Sequence, residues 1–151
     1  MEVDARMLHR MVLTARTTVE TGRVALTGEL GSLLACCLQT SVDDGLTGGL
    51  VVEAGLLLEV IEGASPDLCA YHQCAEGDPR IFDLQVLEFV PVLRRQFETW
   101  AVAHTPDSRA NRTLASAINE KRAGPFAVSQ HIRQALMQGM IAETPPLCVA
   151  A

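Results

Sequence analysis

Aromatic residues are scarce in this chain. They make up 4% of 151 residues, with one Trp, one Tyr and four Phe. Surfaces for stacking bases are therefore in short supply. Basic residues are outnumbered, twelve Lys and Arg against eighteen Asp and Glu, giving a net charge of -6 and a pI near 5.1. An acidic chain lacks the electrostatic footprint of a nucleic-acid binder, and the pairs Arg94-Arg95 and Lys121-Arg122 read as solvated surface. No apolar run is long enough to span a bilayer. The opening Met1-Glu2-Val3-Asp4 lacks the apolar core of a signal peptide. The five cysteines are odd in number and show no disulfide framework, which fits a reducing compartment. A cytoplasmic protein is expected, without nucleic-acid or membrane partners. Catalytic signatures are missing too: there is no G-x-S-x-G, P-loop or G-x-G-x-x-G. Asp43-Asp44 and Glu59 with Glu62 are neighbours only in sequence, and no sugar cleft is indicated. The chain is not expected to be an enzyme.

What is present is apolar patterning. Hydrophobic residues make up 48% and charged residues 20%, the balance of a globular domain. Leu8 to Ala15 reads as a first strand and Arg16 to Arg23 as a loop. From Leu30, apolar residues at 30, 33, 34, 37 and 38 share one helix face, with Thr27 as N-cap. Asp43-Asp44-Gly45 ends that helix. Leu46 to Glu53 and Leu56 to Ile61 read as a hairpin turning at Ala54-Gly55. The second strand is apolar at both parities, so both sheet faces should be covered. Ser65-Pro66-Asp67 reads as a helix start with Ser65 as N-cap. That helix runs to about Gly77, with Leu68, Tyr71, His72 and Ala75 facing inward. Phe82 to Val90 and Gln96 to Val102 read as the last two strands. Asp107 or Ser108 can cap a helix reaching about Arg122, which Gly124-Pro125 breaks. A final helix carries Val128, Ile132, Ala135, Leu136 and Met140 on one stripe, and Pro145-Pro146 stops it. The order is βαββαβ plus one strand, the ferredoxin-like pattern of an α+β fold. Residues 1–103 form the expected core. Residues 104–151 form a helical extension of the same domain, covering the second sheet face.

Several pieces together resemble the BLUF family, the flavin photosensors. These are Leu8-His9-Arg10-Met11-Val12, Leu46-Thr47-Gly48, Ile61-Glu62-Gly63, Asp78-Pro79-Arg80 and the run Arg95-Gln96-Phe97-Glu98-Thr99-Trp100. The resemblance covers roughly Leu8 to Val102. It implies an FAD lying between the first two helices, in a cleft at Leu13, Leu34, Ser41, Leu57, Glu59, Arg80 and Trp100. The same resemblance shows what has changed. The family's strand-one tyrosine is Leu13 here, its photoactive glutamine is Glu59, and its flavin-pairing asparagine is Ser41. A basic position nearby is Asp43, a histidine position is Ile81, and a methionine position is Val102. Trp100 is kept. An ionised carboxylate only accepts hydrogen bonds, and Leu13 has no hydroxyl. The resemblance therefore implies a sensory or regulatory module without a blue-light photocycle, acting through a protein partner or as a homo-oligomer. The missing polar anchors weigh against retention of FAD. The alternative is a protein that binds FAD or another small ligand through Glu59.

Other groups have blander readings. A buried Glu59 should have a raised pKa unless a partner is near, and pairing with an interior Arg or His, or access to water, is the ordinary expectation. Cys69, His72 and Cys74 do not share one helix side, so no metal site is expected. His72 falls on the inward stripe as a core histidine. Cys37 acts as a small hydrophobe, Cys36 points away from the stripe, and Cys148 sits in a tail. His131, Met137 and Met140 read as core packing plus surface.

Overall fold

The computed structural model describes residues 7–19, 32–33, 45–104 and 109–144. Strand β3 (Leu56–Ala64) is its centre, and every residue from Leu56 to Gly63 is buried. It pairs antiparallel with β1 (Leu8–Thr17) on one side and with β2 (Thr47–Glu53) on the other. The β2–β3 turn has Ala54 at φ 47° and Gly55 at φ 78°. Positive φ at both central residues is the geometry that matches the right-handed twist of a hairpin.

Helix α1 (Ser65–Gly77) follows β3 directly. Pro66 stands in its first turn, where its missing N–H is harmless. The expected Ser65 cap is corrected: Ala64 is the N-cap and no side chain bonds there. Strand β4 (Ile81–Pro91) returns along the outer side of β1. Asp83 has φ 51°, and the β1–β4 register shifts between Val12 and Leu13 and again between Thr14 and Arg16. Strand β5 (Trp100–His104) then pairs parallel with β2. This is the expected α+β ferredoxin-like arrangement with an added strand.

Helices α2 (Arg109–Asn119) and α3 (Pro125–Gly139) come next. Helix α2 ends before the expected Arg122. Lys121 takes φ 59°, its N–H reaches Ile118 O, and Arg122 N–H reaches Ala117 O. That pair of bonds around a left-handed residue is a Schellman stop. The last helix is also shorter than expected. Met140 is not on its stripe, because Met140–Thr144 forms β6, antiparallel to β5. The unpaired backbone edge of β5 is satisfied this way. The sheet order is β4-β1-β3-β2-β5-β6.

Two cores result, one on each face. Met11, Leu13, Leu50, Leu57, Ile61 and Trp100 pack with Leu68 and Tyr71 of α1. Val12, Val51, Leu58 and Val60 pack with Ile118 of α2 and with Val128, Ile132 and Ala135 of α3. The C-terminal helices thus cover the second face, as the two-sided apolar pattern requires. The first expected helix, from Leu30, lies outside the described residues except for Ser32 and Leu33, which are helical. The expected caps at Thr27, Asp107 and Ser108 lie outside them as well.

The passage from β4 to β5 crosses β1, β3 and β2. Val92 N–H donates to Leu8 O on β1. The Glu62 carboxylate on β3 accepts from Gln96 N–H at 2.8 Å and from Phe97 N–H at 2.9 Å. Arg95 donates to Glu62 O at 2.9 Å, to Thr47 Oγ1 at 2.7 Å and to Gly45 O at 3.3 Å. Gly48 N–H then reaches Thr99 O. These bonds explain why β5 begins at Trp100 and not at Gln96: the Gln96 and Phe97 amides serve Glu62. They also explain Gly48, where a Cβ would collide with Val60 O and the Trp100 ring.

Glu62 is fully buried, with Arg10 Nε at 3.5 Å. Glu62→Ala strands two amides and a guanidinium, so it should cost on the order of 3 kcal/mol. Urea unfolding checks this, and a loss below about 1 kcal/mol would mean the crossing is held by other contacts.

Candidate functional site

Alternation along β3 sends Leu57, Glu59 and Ile61 to the α1 face. Glu59 lies opposite Leu13 of β1 and Leu50 of β2. It is 3% exposed. Tyr71, one helical turn past Leu68 on the buried side of α1, donates its hydroxyl to Glu59 Oε1 at 3.0 Å. The ring centroids of Tyr71 and Trp100 stand 6.2 Å apart at 65°, an edge-on contact. Glu59 Oε2 is buried and has no hydrogen-bond partner among the described residues. Burial pushes the Glu59 carboxyl up to about 7, against the Tyr71 bond, which lowers it.

The raised pKa is as expected of a buried carboxyl, but among the described residues its partner is a tyrosine and not an arginine or a histidine, and the group is buried away from water. At neutral pH a large share is the neutral acid, which carries one O–H donor and a carbonyl acceptor. Sequence patterning set Tyr71 on the inward stripe and Glu59 on the facing strand. The signal that joins them is that a buried phenol and a buried carboxyl each need a partner.

Leu13, Leu57, Glu59 and Trp100 are brought together in one buried cluster with Tyr71. Arg80 is engaged elsewhere. Its guanidinium donates to Asp78 Oδ1 at 3.0 Å and Oδ2 at 2.7 Å, and to Ser32 Oγ at 3.4 Å. The Arg80 side chain hydrogen-bonded to Asp78 holds that carboxyl below its usual range, helped by the Arg80 amide and charge. Leu34, Ser41 and Asp43 lie outside the described residues, as do Cys36, Cys37 and Cys148. His72 is not a core histidine: its side chain is 24% exposed, and Nε2 stands 3.8 Å from Glu76 Oε1. Cys69 and Cys74 are exposed. Among the described residues no group of His, Cys, Asp and Glu could hold a metal, and no helix is long and apolar enough to cross a membrane. His131, read as packing or surface, bonds through Nε2 to buried Glu53 at 3.1 Å and ties α3 to the end of β2.

A bound isoalloxazine needs a polar anchor that both donates and accepts along its edge. Neutral Glu59 meets that requirement, with Oε1 held by Tyr71 and Oε2 unsatisfied among the described residues. Ionised Glu59 does not. Leu13, Leu57 and Trp100 supply the apolar wall.

The family model described as "Sensors of blue-light using FAD" matches residues 8–103. Similar solved structures include BlrB, a BLUF protein in its dark state, at 21% identity and a TM-score of 0.59, covering 85% of this chain and 95% of that one. The photo-activated state of BlsA is similar at 12% identity and a TM-score of 0.67, covering 90% of this chain and 99% of that one. A bacterial light-regulated adenylyl cyclase is similar at 20% identity and a TM-score of 0.60 over 85% of this chain. This chain spans 40% of the cyclase's length. No curated protein matches by sequence.

Glu59 should make stability depend on pH. Its folded pKa lies above the ordinary 4.5. Its contribution is therefore fully present below that ordinary value and lost as pH rises through about 7. The loss is on the order of 3 kcal/mol. Glu59→Gln should flatten this window in urea unfolding between acid and alkaline pH. Tyr71→Phe should raise the Glu59 pKa further, because the hydroxyl bond favours the ionised form. Carboxyl carbon NMR reads that shift, and an unchanged titration would mean the Tyr71 bond is not formed in solution.

Proposed function

Because this chain belongs to the BLUF family of blue-light sensors using FAD, we propose that it is a sensory or regulatory module that has lost the usual blue-light photocycle and acts through protein contacts. The carrying observation is the β1–β3 register. Leu13 stands opposite Glu59, where the resemblance puts a tyrosine opposite a glutamine. A leucine side chain can give neither an electron nor a proton. A flavin, when bound, supplies absorption of blue light. Leu13, Leu57 and Trp100 would shield it from water, and Glu59, held by Tyr71, would orient its polar edge. Output through the C-terminal helices fits the exposed Phe126 and Met137 on α3.

A second reading is favoured by the unpartnered Glu59 Oε2: the chain keeps a flavin or another flat ligand, with neutral Glu59 as anchor. On this reading affinity falls as pH rises through about 7, where the donor is lost. Glu59→Gln, with a permanent N–H donor, removes that dependence.

The absorption spectrum of the purified protein, before and after adding FAD and under blue illumination, tests both. The expected result is no red-shifted species on illumination. A red-shifted state that relaxes in the dark would overturn the loss of photocycle. Flavin bands that survive gel filtration at pH 6 and weaken at pH 8 would establish the anchor role of Glu59; flavin bands retained equally at both pH values would refute it. For the output surface, Met137→Asp should change the assembly measured by light scattering without changing the unfolding midpoint. An unchanged assembly would remove α3 from that role.

A further inference from the structure

On the sheet face opposite Glu59, a cavity of about 140 Å³ opens between β1, β4, the crossing segment and the start of α3. Arg10, Glu88, Gln96, Phe126, Ser129 and Arg133 are on its wall. We infer that this cavity is a binding site for a small diffusible oxyanion, a phosphate or carboxylate compound held by Arg10 and Arg133 at the N-terminal end of α3.

Charge supports an anion even though the chain as a whole is acidic, with net charge -6. Two guanidiniums face the cavity against one carboxylate, Glu88. Neither Glu88 nor Arg133 forms an ion pair among the described residues. Arg10 is only partly committed. Its Nε is buried without a hydrogen bond, and its nearest carboxylate, Glu62, stands at 3.5 Å. Glu62 also accepts from the Gln96 and Phe97 amides, so it does not depend on Arg10 alone.

Helix α3 adds the positive end of its dipole. It begins at Pro125, on the cavity wall, and has no acidic residue in its first turn to offset that end. Phe126, Ser129 and Arg133 lie along one side of the helix, which explains how they reach the same space.

Size sets the ligand class. A water occupies about 30 Å³ of liquid, so the space takes a handful of waters or a small polyatomic anion. A guanidinium pair matches planar or tetrahedral oxygens through paired N–H donors. Gln96 joins the cavity to the crossing segment, so the anion shares Arg10 with the Glu62 clamp.

The test is an amide NMR titration of the full chain with inorganic phosphate and, separately, with succinate, at ionic strength held constant by sodium chloride. Saturable shifts at Gln96 and at residues 126–130 are expected with one or both. Arg133→Gln, at an exposed position, should weaken affinity about tenfold with the unfolding midpoint unchanged. Glu88→Gln should strengthen it by removing the facing negative charge. Shifts that follow chloride equally, no saturation with either probe, or affinity indifferent to Arg133→Gln would each overturn the assignment.

Discussion

The buried carboxylate of Glu62 is the constraint around which the sheet is organised. A chain leaving edge strand β4 must reach β5 on the far side of three strands. Such a crossing has no ladder of its own, so its backbone groups need other partners. Glu62 takes two of its amides, and Arg95 binds the backbone at Glu62 and Gly45. Trp100 then enters the first core at the register that Gly48 leaves open for it. A buried charge is costly alone. Here it is met by two N–H donors and a guanidinium, so its burial fixes one path for the chain.

The two sheet faces use buried polar groups differently. On the C-terminal helix face, Glu62 meets Arg10 and backbone amides, and Glu53 meets His131. Those contacts join elements distant in sequence. On the α1 face, Glu59 meets a single phenol and keeps one oxygen unsatisfied among the described residues. The first arrangement cross-links strands and helices. The second is a titratable group held ready near neutrality, which is the pattern of a site.

Strands and faces were legible because period-two alternation is a local property. The double apolar pattern of β3 announced covers on both faces, and α1 and α3 provide them. What escaped was set by distant partners. Gln96 and Phe97 look like strand, but their amides are taken by Glu62. Met140 continues a helical stripe by spacing, yet the open edge of β5 recruits its backbone into β6. Helix α2 was expected to stop at Gly124-Pro125, and Lys121 ends it earlier in a left-handed conformation normally given to glycine. At the candidate site, the β1–β3 register pairs Leu13 with Glu59. Tyr71 was placed on the right stripe without its partner, because no spacing rule links residues 59 and 71 across a strand–helix junction.

Strand β4 has a consequence for how this protein meets others. With β6 lying along β5, β4 is the sheet's outer margin on the other side. Its side chains include exposed Phe82, Val86 and Phe89, which on a flat margin would invite another strand to zip on. The left-handed Asp83 and the two register shifts break that margin into short, misaligned stretches, and Pro91 removes a donor at its end. Backbone templating along β4 is thereby frustrated. Along this margin recognition falls to side chains, whose fit distinguishes one partner from another, and not to main-chain bonds that any extended peptide can make.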